Sequence, residues 1–132
     1  RQIGILRNPI DTGTSAIGVG TTYSACRRIT VSNVTGGSFA HYTTLIGNTS
    51  GANAKIDAVN GTTLYVHQNS GTGFTAFQSG ETVHVGGVTA TIDSIVDPEI
   101  DLRSGELLYI ENISPVTRNE NQTEDIRLVL EL

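Results

Sequence analysis

The chain contains no tryptophan and no methionine, and aromatic residues make up only 5% of its 132 residues. Its single cysteine, Cys26, has no partner for an internal disulfide and no neighbours at metal-ligand spacing. No apolar run approaches the roughly 20 residues that a membrane-spanning helix needs. The net charge of −5 provides no basic face for nucleic-acid phosphates. These absences exclude a disulfide scaffold and argue against membrane or nucleic-acid partners.

What remains is rich in Val, Ile and Thr, which suit the surface of a β-sheet, and in Gly, Asn and Ser, which suit its turns. Helical periodicity is essentially missing, and at most residues 98–104 are expected to form a turn of helix. The composition therefore predicts an all-β fold built from antiparallel sheets or a sandwich. The length allows one domain, or one domain with a smaller inserted lobe.

An internal repeat occupies the middle of the chain. The first copy spans residues 39–66 and the second spans residues 77–96, with AKIDAV at 54–59 corresponding to ATIDSI at 90–95. Each copy carries an aromatic residue, a β-branched pair and a glycine-containing turn, which together predict a β-hairpin. Two hairpins that face each other form a small sandwich or a barrel-like lobe.

The repeat divides the chain into an outer β-frame, residues 1–30 and 97–132, and an inserted β lobe with the two hairpins, residues 31–96. The outer strands IGIL, ELLYIEN and DIRLVLEL are expected to pair across the insertion. The last of them alternates in hydrophobicity up to Leu132, the pattern of a strand that completes a sheet. Because the chain starts with Arg1 rather than methionine, we expect a processed product or a fragment of a longer protein.

Candidate catalytic and metal-binding residues are sparse. The three histidines lack a carboxylate or cysteine at ligand spacing and are expected at the surface or at strand edges. The acidic residues between 93 and 106 are expected to form solvated surface, with a calcium site as the alternative. Asp57 and Asp93 each alternate with isoleucine and are expected outside the core rather than as an acid–base pair. Cys26 is expected to be a small strand residue, although two arginines follow it and can lower its pKa. The sequence thus predicts no catalytic residue, no metal site and no cofactor.

The polar segment PVTRNENQTED, residues 115–125, connects the last two apolar runs. It has many hydrogen-bond donors and acceptors and little to bury. It is therefore either a solvated loop or a loop that a partner chain orders through charge-assisted hydrogen bonds.

The stretch SGELLYIENISPVTRNENQTEDIRLVLEL, residues 104–132, resembles the C-terminal end of the baseplate wedge subunit (gene 8 product) family of T4-like contractile-tailed bacteriophages. The matching features are GELLY at 105–109, the pair Glu111-Asn112, Arg118, the run QTED at 122–125 and the alternating final strand. RQIGILRNP at 1–9 resembles the segment that precedes an inserted region in that family. Because the family's chains are longer, this chain would be a C-terminal portion.

The resemblance implies a non-enzymatic structural virion protein of the tail baseplate, assembled in the host cytoplasm. Its implied partners are other wedge subunits, and family members can also form homodimers. The residues expected to be ordered or at the interface are Tyr109, Arg118, Gln122, Glu124 and Asp125.

Two other functions compete with this interpretation. The middle lobe is alternatively a receptor- or carbohydrate-binding β-module of a tail fibre, although it lacks tryptophan for sugar stacking. Its candidate stacking residues are Tyr42, Tyr65, Phe74 and Phe77. A tail-associated hydrolase would need a converged acid–base pair, for which the sequence offers only Asp57 and Asp93.

Overall fold

The computed structural model describes residues 2–20 and 23–112. In these two ranges the chain forms eight β-strands and no helix, which confirms the predicted all-β fold. Residues 98–104, where at most one helical turn was expected, contain no helix but a bend, a turn and an isolated β-bridge at Ile100. The described part of the chain accordingly has no helix of the length and hydrophobicity needed to cross a membrane.

The strands follow the chain in the order β1 (Gln2–Arg7), β2 (Arg27–Thr35), β3 (Thr44–Gly47), β4 (Asn53–Asn60), β5 (Thr63–His67), β6 (Thr82–Val85), β7 (Val88–Val96) and β8 (Glu106–Asn112). Six of them close into an antiparallel barrel with the order β2-β5-β4-β3-β6-β7, in which β7 pairs back onto β2. β1 and β8 form a separate two-stranded antiparallel sheet, with Ile5 opposite Tyr109. Each barrel strand therefore has a neighbour on both sides, so the barrel has no free edge.

The barrel begins earlier in the chain than residue 31, the first residue of the predicted lobe. β2 starts at Arg27, and its first residues already pair with β5 on one side and β7 on the other. Ile29, in this stretch, is fully buried in the barrel core. Residues 27–30 thus belong to the barrel rather than to the outer part. The predicted final strand lies within residues 113–132, outside the described residues.

Aliphatic side chains that alternate along the strands fill the barrel interior. The eight largest of those that are almost completely shielded from solvent are Ile29, Val31, Leu45, Ile56, Leu64, Val66, Val83 and Ile92. Each contributes roughly 1.5–3 kcal/mol of hydrophobic stabilisation, before the entropy of ordering the chain is subtracted. Phe39 and Phe77 belong to the same core. The prediction of Phe77 as a sugar-stacking residue is therefore wrong, because only 6% of its surface is exposed.

The internal repeat is a pair of equivalent hairpins, β3–β4 and β6–β7, as predicted. Both begin with the same β-bulge, in which a residue of positive φ donates its N–H to an isoleucine carbonyl. In the first copy Tyr42 donates to Ile56 at 2.7 Å, and Ile56 donates to the residue after Tyr42 at 3.0 Å. In the second copy Gly80 donates to Ile92 at 2.8 Å, and Ile92 donates to the residue after Gly80 at 2.9 Å. Tyr42 and Gly80 are thus structurally equivalent.

Two segments link the β1–β8 sheet to the barrel, residues 8–26 between β1 and β2 and residues 97–105 between β7 and β8. Hydrogen bonds between these two segments attach the sheet to the barrel. The N–H of Asp101 donates to the carbonyl of Ile10 at 2.8 Å, and the N–H of Ile10 donates to the Ser104 hydroxyl at 2.9 Å. Closer to the barrel, the N–H of Glu99 donates to the carbonyl of Ser24 at 2.8 Å. The Glu99 carboxylate accepts the N–H of Ser24 in return at 2.7 Å. The sheet is therefore held by a hydrogen-bonded pair of segments rather than by two free linkers.

Candidate functional site

Tyr109 is the one predicted interface residue within the described ranges, and it lies in β8 with 45% of its surface exposed. Its hydroxyl donates a hydrogen bond to the Glu111 carboxylate at 2.9 Å. This hydrogen bond is the main reason that the pKa of Tyr109 is raised above its usual value. The other four predicted residues, Arg118, Gln122, Glu124 and Asp125, lie outside the described residues.

The β1–β8 sheet carries large apolar side chains on both faces. Leu107, Leu108, Tyr109 and Ile110 follow one another in β8. Tyr109 and Ile110 point to opposite faces, whereas a register shift between Ile5 and Leu6 makes Leu108 the extra residue of a β-bulge. The exposed fractions of these four β8 residues lie between 45% and 56%, and Leu6 of β1 is 42% exposed. A two-stranded sheet with such faces in water is only marginally stable by itself. The sheet is therefore a candidate surface for contact with a partner.

A groove of about 380 Å³ borders the sheet where it approaches the barrel. Leu6 and Leu107 from the sheet line it, together with Leu102 from the segment between β7 and β8. The Arg103 guanidinium, which also lines the groove, lies 5.5 Å from the centroid of the Phe74 ring in a cation–π contact. The groove thus extends the apolar surface of the sheet towards Phe74, one of the predicted stacking residues.

One cluster of reactive side chains comes from three separate segments and has no signature in the sequence. His67 Nδ1 lies 2.6 Å from Asp57 Oδ2, and the Cys26 thiol donates to the same oxygen at 3.5 Å. Asp57 and His67 meet because β4 and β5 are adjacent in the barrel. Cys26 reaches them from the residue just before β2. Sequence spacing cannot indicate such a cluster, since barrel closure creates it.

The geometry of this cluster does not activate the thiol. Imidazole is the base in cysteine–histidine pairs, whereas here the carboxylate contacts the sulfur. Burial raises the pKa of Cys26, and the charge of Asp57 and its hydrogen bond raise it further. Arg27 and Arg28, whose charges can lower the pKa of a neighbouring thiol, form ion pairs with carboxylates of the segment between β7 and β8, at 2.9 and 3.5 Å. Cys26 is thus less acidic than a free thiol.

Four of the five acidic residues between 93 and 106 have separate side-chain partners rather than a common one. Asp93 accepts the Ser32 hydroxyl at 2.6 Å, and Glu106 pairs with Arg7. Within residues 2–20 and 23–112, no three His, Cys, Asp or Glu side chains are placed to hold a metal ion. β4 and β7, which carry Asp57 and Asp93, lie on opposite sides of the barrel, with two strands between them in either direction. These two carboxylates therefore do not converge on a common site.

Glu81 is a buried carboxylate, 5% exposed, that no sequence pattern marks. Its oxygens accept the N–H groups of Thr49, Ser50 and Gln78 at 3.0, 2.9 and 2.7 Å, together with the Ser50 hydroxyl at 2.8 Å. Gly47 leaves space for it, because a Cβ there would lie 2.8 Å from both oxygens. Burial raises the pKa of Glu81, but the hydrogen bonds outweigh burial and hold the pKa below its usual value. Hydrogen bonds to Glu81 thus connect the turn of the first hairpin to the start of the second.

Tyr42 combines high exposure with an unfavourable backbone conformation. Its φ is 63° and its surface is 84% exposed. The left-handed conformation costs a residue with a Cβ about 1–2 kcal/mol, a cost that Gly80 avoids in the second copy. The ring of His41 lies 6.2 Å from the Tyr42 ring, centroid to centroid. Backbone strain that core packing does not explain is a recognised mark of functional positions.

Comparison with known proteins identified no relative: no family model, no curated protein and no solved structure matches the chain. The barrel and the sheet are therefore defined by their own geometry. The resemblance of residues 104–132 to baseplate wedge subunits stays a prediction.

Proposed function

We propose that this chain is a structural virion protein of a contractile phage tail, a baseplate wedge component that assembles with other wedge subunits. The two-sided apolar surface of the β1–β8 sheet carries this proposal, since it is a surface that water does not favour. The resemblance of residues 104–132 supports the family. The proposed location is the tail baseplate, after assembly in the host cytoplasm.

Burial of the sheet contributes to assembly without being sufficient for it. Leu108 and Ile110 are 48% and 54% exposed. At about 25 cal/mol per Å², covering the exposed half of such a side chain contributes roughly 1 kcal/mol. Five such side chains give about 5 kcal/mol, which is close to the lower limit of what association itself costs. Polar contacts are therefore needed as well, and we propose, from its sequence, that the segment 115–125 supplies them.

The closed barrel contributes a rigid body to which the β1–β8 sheet is attached. All of its strands are paired on both sides, and its core is continuous from β2 to β7. Such a barrel offers no free edge for strand addition, so the proposed contacts concentrate on the β1–β8 sheet.

Incorporation into tails tests this function directly. The double variant Leu108→Lys, Ile110→Lys places two charges at apolar positions of β8 that are 48% and 54% exposed. The matched control Val19→Lys places a charge at a loop position that is 91% exposed. We expect both variants to keep the wild-type circular dichroism spectrum, and only the double variant to be lost from purified tails.

Mass spectrometry of particles of the phage that encodes the chain provides the measurement. If the wild-type chain is absent from purified virions, the proposed function is wrong. If the folded double variant is incorporated at the wild-type level, the β1–β8 sheet is not the interface.

A further inference from the structure

The two copies of the repeat differ at the position where the backbone most favours glycine. The second copy has Gly80 there, with φ of 83°, whereas the first has Tyr42, with φ of 63°. The Tyr42 ring is 84% exposed, so it adds almost nothing to the barrel core. The fold therefore gives no reason for tyrosine at this position, and an external contact does.

A second exposed ring lies beside it. His41 precedes Tyr42 and is also exposed, and the two ring planes are inclined by 58° at a centroid distance of 6.2 Å. Each ring has an apolar face and a polar atom at its edge. The pair therefore offers a stacking surface together with hydrogen-bonding groups.

A polar groove of about 480 Å³ begins two residues further along the chain. It is lined by Thr44, Asn53, Lys55, Asn69, Gly71 and Thr72. Thr44 lies two residues after Tyr42, and the N–H of Tyr42 donates to the carbonyl of Ile56, the residue next to Lys55. The lining offers hydroxyl, amide and ammonium groups and no carboxylate. The Lys55 ammonium donates to the Thr44 hydroxyl at 2.6 Å and has an ion pair with none of the described carboxylates.

We propose that this surface binds a carbohydrate, with a sugar ring stacked on Tyr42 and its hydroxyl groups hydrogen-bonded in the groove. An exposed aromatic beside neutral donors and acceptors suits a ligand that has an apolar ring face and a polyhydroxylated edge. A nucleic acid would need several cations, whereas the groove has Lys55 alone. The same lysine favours acidic sugars over neutral ones.

A glycan array probed with the full chain tests the ligand class, and calorimetric titration of the best glycan gives its affinity. Tyr42→Gly is expected to lower that affinity about tenfold or more, with a melting temperature equal to or above that of the wild type. Lys55→Gln is expected to weaken binding of acidic glycans and to leave neutral ones unchanged. Val19→Ala, which truncates a side chain that is 91% exposed and does not line the groove, is the control and is expected to bind normally.

Each result of this experiment supports or overturns the site. Absence of glycan binding by the folded wild-type chain overturns it, as does unchanged affinity in Tyr42→Gly. A lower melting temperature of Tyr42→Gly would show that the ring serves the fold and would remove the reason for the proposal. Equal loss of neutral and acidic glycans in Lys55→Gln would overturn the preference for acidic sugars. None of these results bears on incorporation into tails.

Discussion

Removal of the Glu81 carboxylate is expected to loosen both hairpins of the repeat at once. Its oxygens accept hydrogen bonds from Thr49 and Ser50 in the turn of the first hairpin and from Gln78 at the start of the second. Glu81→Ala leaves these donors without an acceptor in a site where the wild-type residue is only 5% exposed. Because both hairpins belong to one closed barrel, the loss should lower global stability rather than loosen a single loop.

The magnitude follows from the number and type of these hydrogen bonds. A hydrogen bond to a charged group contributes roughly 1.5–3 kcal/mol, but bonds that share one carboxylate do not add. Water can enter the vacated site and solvate part of the donors. We therefore expect Glu81→Ala to lower the free energy of unfolding by about 3–5 kcal/mol. Glu81→Gln keeps the shape but replaces one acceptor by a donor, and should cost about 1–3 kcal/mol.

The same carboxylate makes the free energy of unfolding depend on pH. The pKa of Glu81 is lower in the fold than its ordinary value of 4.5, so the unfolded chain takes up the proton first as acid is added. The stability from the carboxylate is fully present above 4.5 and is lost as the pH falls through the lower folded pKa. Glutamine does not titrate, so Glu81→Gln should lose less stability in acid than the wild type.

Urea unfolding at neutral pH and at about pH 3 measures both effects. Glu106→Ala is the matched control, because it removes an exposed carboxylate paired with Arg7 and should cost less than about 1 kcal/mol. If Glu81→Ala is as stable as this control, the carboxylate does not fasten the hairpins. If the wild type and Glu81→Gln lose equal stability in acid, the assigned pKa shift is wrong.

Two further substitutions test local features of the barrel. Gly36→Ala should cost about 2–4 kcal/mol in urea unfolding, because φ is 77° and a Cβ would overlap a carbonyl oxygen of the β6–β7 turn. Gly61→Ala has φ of 58° and open space, so it should cost only about 1–2 kcal/mol, and equal costs would contradict the steric explanation. Cys26 should react with iodoacetamide more slowly than an unperturbed thiol, because its pKa is raised. Asp57→Asn should speed this alkylation by removing the negative charge, and an unchanged rate would refute the role of Asp57.

Alternation of apolar and polar residues was enough to find most of the strands. Every barrel strand buries one face, so buried residues are two positions apart along the strand. Ile56 follows buried Ala54 in this way in β4, and Ile92 follows buried Ala90 in β7. The repeat therefore identified the hairpins β3–β4 and β6–β7, and LYVHQ identified β5 between them. Local pattern succeeds here because each of these strands pairs with a neighbour that is close in the sequence.

No local sequence pattern, in contrast, predicts that the strands close into a barrel. The pairs β3–β6 and β2–β7 join strands from different hairpins, and they form because open edges would leave backbone groups without partners. Glu81 was missed for the same reason. A glutamate between polar residues indicates a surface position, and only the turn of the other hairpin makes it buried. The contact of Cys26 with Asp57 likewise depends on which strands become neighbours.

The two proposed functions fall on different parts of the molecule for a physical reason. In a closed barrel the backbone hydrogen bonds and the burial of apolar side chains are provided by the barrel itself. Residues on its exterior can therefore change without effect on its interior. Tyr42 and Gly80 show this, because one bulge geometry accepts both residues while the same core lies beneath. The β1–β8 sheet lacks such a core and keeps its apolar side chains half exposed. Substitutions at Tyr42 and at Leu108 should therefore act independently, and glycan affinity in a chain carrying both sets of changes should equal that of Tyr42→Gly alone.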